Sequence, residues 1–255
     1  MMEEKFERVI VEGVSKKFTR KFKKNKKALA KFVSFFSPAG KKIDFNVLDN
    51  ISFKVSSGEN LGIIGRNGAG KSTLLRILAG IYLPDRGLVK TNGRLIYVTG
   101  FGQGLKSKLT MRENIYLVGS VMGLSKRDMD SKLDEIVDFS GLGDYLDTQV
   151  YQFSSGMLSR LSFSISIHCL KHQNPDILLF DEVLGGGGDI TFHEKSMEKM
   201  DELIKGGATV IMVSHGLSSI KKYCDRAILL DDGKIVKEGS AKEVVDFYIK
   251  TRGKK

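Results

Sequence analysis

Along this chain, short unbroken apolar runs alternate with stretches in which apolar residues recur at helical spacing. Leu61 to Ile64 is apolar throughout and runs straight into a glycine-rich segment, as a buried strand would. Leu74, Leu75, Ile77 and Leu78 keep the period of a helix, and Gly80 stands where a helix-terminating glycine belongs. Ile177 to Phe180 predicts a second buried strand and Ala208 to Ser214 a third, while Arg127 to Phe139 repeats as a helix. Arg226 to Val236 reads as two short strands folded about Asp232-Gly233, and Ala241 to Lys250 as a closing helix. Buried strands separated by helices predict an α/β fold with a mostly parallel sheet.

The glycine-rich segment carries chemistry. Gly65-Arg66-Asn67-Gly68-Ala69-Gly70-Lys71-Ser72, followed by Thr73, matches G-x-x-x-x-G-K-[ST] between a strand and a helix. Polyphosphate needs many donors converging on one concavity. Glycines let backbone N–H groups turn inward, and the helix that follows brings its N-terminal donors and positive dipole end. Lys71 can reach the terminal phosphates of ATP, and the Ser72 hydroxyl can ligate Mg²⁺. Asp176 to Glu182 supplies a second half: an apolar strand ending in Asp181 and Glu182, at the sheet edge where α/β proteins bind ligands. Asp181 suits the metal shell, and Glu182 can polarise an attacking water. His215 ends the third strand at the same kind of edge, where it is either structural or in contact with the γ-phosphate and that water.

Between these elements lies Tyr151-Gln-Phe-Ser154-Ser155-Gly156-Met157-Leu-Ser-Arg160. Small residues and a hydroxyl at a helix start make a further anion site. With this segment the chain resembles the ATP-binding subunits of ABC transporters. Its signature variant S-S-G-M is similar to that of the exporters of capsule, O-antigen and teichoic-acid polysaccharides. The resemblance implies an ABC-type P-loop ATPase. Residues 7–60 would give antiparallel strands, 60–100 and 171–216 the parallel-sheet core, and about 105–170 a helical subdomain. It implies a homodimer in which Ser154, Ser155, Gly156 and Met157 of one chain face the ATP of the other, with ATP and Mg²⁺ as cofactors. Separate integral-membrane permease subunits and a lipid-linked polysaccharide would be the partners, at the cytoplasmic side of the membrane. The chain reads as a single ATPase domain, 1–255, and its end at Lys255 leaves no room for a carbohydrate-binding domain.

Three positions depart from the family pattern. Gln103, the candidate for the glutamine that touches metal and permease, lies two residues later than usual. Gly185 to Gly188 lengthen the interval from Asp181 to Asp189 by one residue. The aromatic platform for adenine falls on Phe18 or, alternatively, Phe22.

Composition adds one feature. Lys and Arg number 41 against 30 Asp and Glu, a formal charge of +11. Eleven of those basic residues lie between Lys16 and Lys42, with five Phe and no acid, so the rest of the chain is formally neutral. The expected insert, about 19–44, holds an amphipathic helix capped by Asn25 and stopped before Pro38. Ala28, Leu29, Phe32, Phe35 and Phe36 would share one face, with Lys27, Lys31 and Ser34 opposite. Such a helix suits an anionic membrane surface. The runner-up reading makes it a nucleic-acid arm of a soluble ABC ATPase that acts on ribosomes. One P-loop, one signature and the short interval from Lys71 to Ser154 argue against that reading. No window approaches the ~18–20 apolar residues of a membrane span, and the acidic start lacks a signal-peptide layout. Two distant cysteines and four scattered histidines give no metal-binding spacing.

Overall fold

The computed structural model describes residues 6–21, 42–99, 104–181, 190–214 and 216–252. In chain order the described elements begin with β1 (Glu7–Lys21), β2 (Lys42–Ser56), β3 (Asn60–Gly65), α1 (Lys71–Leu78), β4 (Arg86–Thr91) and β5 (Leu95–Thr99). Then come α2 (Met111–Val121), α3 (Lys126–Ser140), α4 (Ser155–Gln173), β6 (Ile177–Asp181), α5 (Ile190–Lys205) and β7 (Thr209–Val213). The series closes with α6 (Leu217–Tyr223), β8 (Arg226–Asp231), β9 (Lys234–Ser240) and α7 (Ala241–Arg252).

Six strands form the main sheet in the order β5-β6-β7-β3-β8-β9. The first five are parallel, and β9 closes the edge antiparallel to β8. Strands β6 and β7 are buried along their whole length, as expected of strands covered on both faces. Successive side chains point to opposite faces, and the core divides accordingly. Ile64, Leu178, Phe180, Val210, Met212 and Leu229 pack against α4 to α7. Leu61, Ile63, Leu179, Ile211, Val213 and Leu230 pack against α1 and the second sheet. A third cluster, built on Met111, Ile115, Met129, Ile136, Leu161 and Ile165, joins α2, α3 and α4. Thr110 and Ser125 start α2 and α3 with reciprocal capping boxes, through Glu113 and Asp128.

The second sheet is antiparallel, in the order β2-β1-β4. Strand β4 lies within the 60–100 segment expected in the parallel core, yet it pairs with β1, Val9 opposite Thr91 and Val11 opposite Val89. The reason is its sequence. RGLVKT buries no side chain fully and so serves as an exposed edge, not a covered central strand. Pairing between β1 and β2 continues through Thr19–Asp44 to Lys21–Lys42. The amphipathic helix expected between Asn25 and Pro38 lies outside the described residues, as does Phe22.

Cys169 and Cys224 are free and buried. Burial pushes their thiols up to about 11 and about 12, so neither forms thiolate near neutrality. Both will resist Ellman's reagent in the native protein at pH 8 and react fully in guanidinium. A native thiol that reacts within seconds would contradict the packing around α4 and α6.

Candidate nucleotide site

Strand β3 runs into the sheet edge and stops at Gly65, which a side chain could not occupy. A Cβ there would lie 2.1 Å from the Leu230 carbonyl oxygen of β8. The loop then crosses Arg66, Asn67 and Gly68, all exposed, to the buried Ala69 and Gly70. Gly70, at φ 103°, caps α1 with no side-chain bond, and no acidic residue occupies the first turn. The first N–H groups of α1, including those of Ser72 and Thr73, therefore keep their capacity for an anion. Lys71 is 6% exposed, and its amine donates to the carbonyls of Gly65 and Arg66 at 2.9 Å each. The side chain thus folds back over the loop, with its charge held at the cradle.

Alternation along β6 turns Ile177, Leu179 and Asp181 towards α1. Asp181, 8% exposed, meets Ser72 there: the hydroxyl donates to Oδ1 at 3.0 Å. Two hard oxygen groups side by side beneath a phosphate cradle suit a small divalent cation that takes its other ligands from phosphate and water. Among the described residues no cluster of three or more His, Cys, Asp or Glu is placed to hold a metal alone.

Oδ2 of Asp181 accepts from a residue not singled out by sequence, the Tyr97 hydroxyl at 2.9 Å. Burial, then the hydrogen bond to Asp181, push the Tyr97 phenol up to about 12. Arg76 of α1 lies beside the same phenol, which raises the pKa of its guanidinium, and its guanidinium carbon lies 5.9 Å from the ring of Tyr82. Tyr82 meets Phe18 edge to face at 5.5 Å. Phe18, 38% exposed, pairs across the strands with Phe45, two residues from Val47, whose carbonyl backs Gly70. A partly open aromatic ring thus lies along β1, within reach of the same end of the sheet. Lys16 lies beside Phe18 and is itself held by Asp85 at 2.9 Å.

Ser154, Ser155, Gly156 and Met157 stand at the start of α4, not on the elements that form this cradle. Ser154 caps α4, its oxygen accepting from the Met157 N–H at 3.3 Å. Ser154 and Ser155 are exposed, and Met157 packs on the cluster of α2, α3 and α4, whereas Ala69 belongs to the cluster beneath α1. Arg160, one turn further on, donates to the Ser140 carbonyl at 2.8 Å and lies 5.3 Å from the Phe192 ring, tying α4 to α3 and α5. Gln103, Glu182 and His215 lie outside the described residues. A cavity of about 700 Å³ opens between α3, α4 and α5, lined by Phe139, Ile167, His168 and Leu203 among others, away from Lys71 and Asp181.

The family model described as ABC transporter matches residues 48–185. The ABC transporter protein AbcA of Aeromonas salmonicida is 41% identical over 81% of this chain and 65% of its own length. The O-antigen export system ATP-binding protein RfbB of Klebsiella pneumoniae is 39% identical over 79% of this chain and 80% of its own. The teichoic acids export ATP-binding protein TagH of Bacillus anthracis is 40% identical over 90% of this chain and 41% of its own. The chain therefore spans from about two fifths to four fifths of these relatives. An ATP-binding subunit of an ABC transporter superimposes with a TM-score of 0.69 at 23% identity, covering 94% of this chain and 92% of that one. A dimeric ATP-binding cassette in a post-hydrolysis state, bound to ADP and phosphate, gives 0.65 at 22% identity, covering 91% and 98%.

Proposed function

The chain belongs to the ABC transporter family, and from that premise we propose that it is the ATP-hydrolysing subunit of a polysaccharide exporter, working as a pair. The observation that carries the reading is the meeting of Ser72 and Asp181 at 3.0 Å beside the Lys71 loop. It supports a cradle for the phosphates of ATP, with Ser72 and Asp181 holding Mg²⁺, which when bound neutralises charge on the terminal phosphates. Lys71 holds the β- and γ-phosphates, and the N–H groups at the start of α1 donate to the phosphate oxygens as negative charge shifts to the leaving oxygen. Glu182, next in sequence to Asp181, orients and deprotonates the attacking water, and His215 contacts the γ-phosphate and that water. Phe18 stacks on adenine. Ser154 and Ser155 are exposed at the start of α4, and Met157 packs on a different core cluster from Ala69, which supports Ser154, Ser155, Gly156 and Met157 serving the ATP of a second copy and completing its site only in the dimer.

The transported material is read from two kinds of relative, named for O-antigen and for teichoic acid export. Their common ground is a cell-envelope glycopolymer. We propose a lipid-linked polysaccharide moved by separate permease subunits, with this chain attached peripherally at the cytoplasmic face. No helix among the described residues is long and apolar enough to cross a membrane. A pelleting assay tests this. The chain should sediment with membranes when the candidate permease is co-expressed and stay in the supernatant without it. Sedimentation indifferent to the permease would overturn the membrane reading, and co-sedimentation with ribosomes would replace it.

A further inference from the structure

Asp181 is a nearly enclosed carboxylate with both oxygens engaged, Oδ1 by Ser72 and Oδ2 by Tyr97. A carboxylate at a strand end is free to turn about its last bond. If it turned, the oxygen beside Ser72 would leave the place where a cation can share both ligands. Tyr97 opposes that rotation from a rigid position. It lies on β5, whose backbone pairs with β6 at Tyr97–Leu179 and Thr99–Asp181, so the phenol and the carboxylate emerge on the same face of adjacent strands. Arg76, on the helix that carries Lys71 and Ser72, lies beside the same phenol.

We propose that Tyr97 is a positioning residue of the nucleotide–metal site, fixing Asp181 so that Oδ1 faces Ser72. The proposal rests on the reading of Ser72 and Asp181 as metal ligands given above. It predicts that the hydroxyl of Tyr97 governs metal affinity more than nucleotide affinity. A charged hydrogen bond of this kind is worth about tenfold in binding when lost.

The test uses Mn²⁺ as a spectroscopic probe, with free Mn²⁺ measured by electron paramagnetic resonance in the presence of a non-hydrolysable ATP analogue. Tyr97→Phe should raise the Mn²⁺ dissociation constant about tenfold. Analogue binding in EDTA should stay unchanged, and the magnesium concentration for half-maximal ATPase should rise by the same factor. An unchanged Mn²⁺ constant in Tyr97→Phe overturns the proposal even if its melting temperature falls, because a purely structural hydroxyl would move stability alone. If Tyr97→Phe does not fold, Tyr97→Met, which also removes the hydroxyl, decides, and an unchanged constant there overturns it equally. Failure of the wild-type chain to bind Mn²⁺ with the analogue would instead sink the underlying assignment of Ser72 and Asp181.

Discussion

Replacing Glu182 with Gln will stop ATP turnover while leaving ATP bound. The amide keeps the shape of the side chain but cannot take a proton from water, a loss worth about 10²–10⁴-fold in rate for a general base. Nucleotide contacts from Lys71, Ser72 and the α1 N-terminus are untouched, so the unhydrolysed ATP should hold two chains together. Size-exclusion chromatography with ATP and magnesium should show a dimer in Glu182→Gln and mostly monomer in the wild type after turnover. Lys71→Ala gives the opposite pattern: ATP affinity itself falls, because the charge clamped at the cradle by the Gly65 and Arg66 carbonyls is gone. A Glu182→Gln variant that hydrolyses ATP at the wild-type rate would remove Glu182 from the mechanism.

Gly65→Ala should be among the most damaging single-methyl changes in the molecule. The added carbon would lie 2.1 Å from the backbone oxygen of Leu230, which is fixed in the neighbouring strand and cannot swing aside. Either β3 and β8 separate or the loop that follows is displaced. Overpacking against backbone costs about 3 kcal/mol, which lowers the melting temperature by roughly 6–12 °C for a domain of this size. Nucleotide binding should fall with it, since the loop begins at the displaced residue. Gly68→Ala is the comparison: a Cβ there meets nothing within 4 Å, although φ is 82°. It should cost about 1 kcal/mol from backbone strain alone. Equal melting temperatures for the two variants would show that the β3–β8 contact yields more easily than its geometry implies.

Legibility in the sequence followed how local each feature is. The strand, loop and helix from Leu61 to Leu78 are contiguous, and their chemistry is written in residue types. The α3 helix, expected from Arg127 to Phe139, spans Lys126–Ser140 because Ser125 caps it and Gly141 ends it in a left-handed turn. The Asp232-Gly233 turn, at φ 43° and 74°, links β8 and β9 as its sequence demands. What escaped notice depends on distant pairing. Strand β4 joins the antiparallel sheet through β1: RGLVKT suits an exposed edge, but which strand it borders is set by where β1 lies. Tyr97 meets Asp181 across 84 positions of sequence, and a tyrosine in an apolar strand reads as core until the parallel register brings β6 beside it. Its one sequence signal was a polar tip within an apolar strand, two residues short of the expected ligand edge. Arg76 was equally silent, since a basic residue in the last turn of a short helix is ordinary dipole chemistry.

The place of β3 between β7 and β8 also has a consequence for how the chain is made. Both its partners lie far downstream: Asn60 pairs with Val210 of β7, the Asn60 N–H bonds to Asp225 across 165 residues, and Gly65 pairs with Leu230 of β8. At synthesis rates of about 5–20 residues per second, the apolar run from Leu61 to Ile64 leaves the ribosome on the order of ten to thirty seconds before its neighbours exist. During that interval the β1–β2 hairpin, whose contacts are close in sequence, can form, but the phosphate cradle cannot. The nascent chain therefore passes through a stage with an unpaired, sticky strand, a natural client for holding chaperones. ATP binding competence arrives late and all at once, when β8 docks.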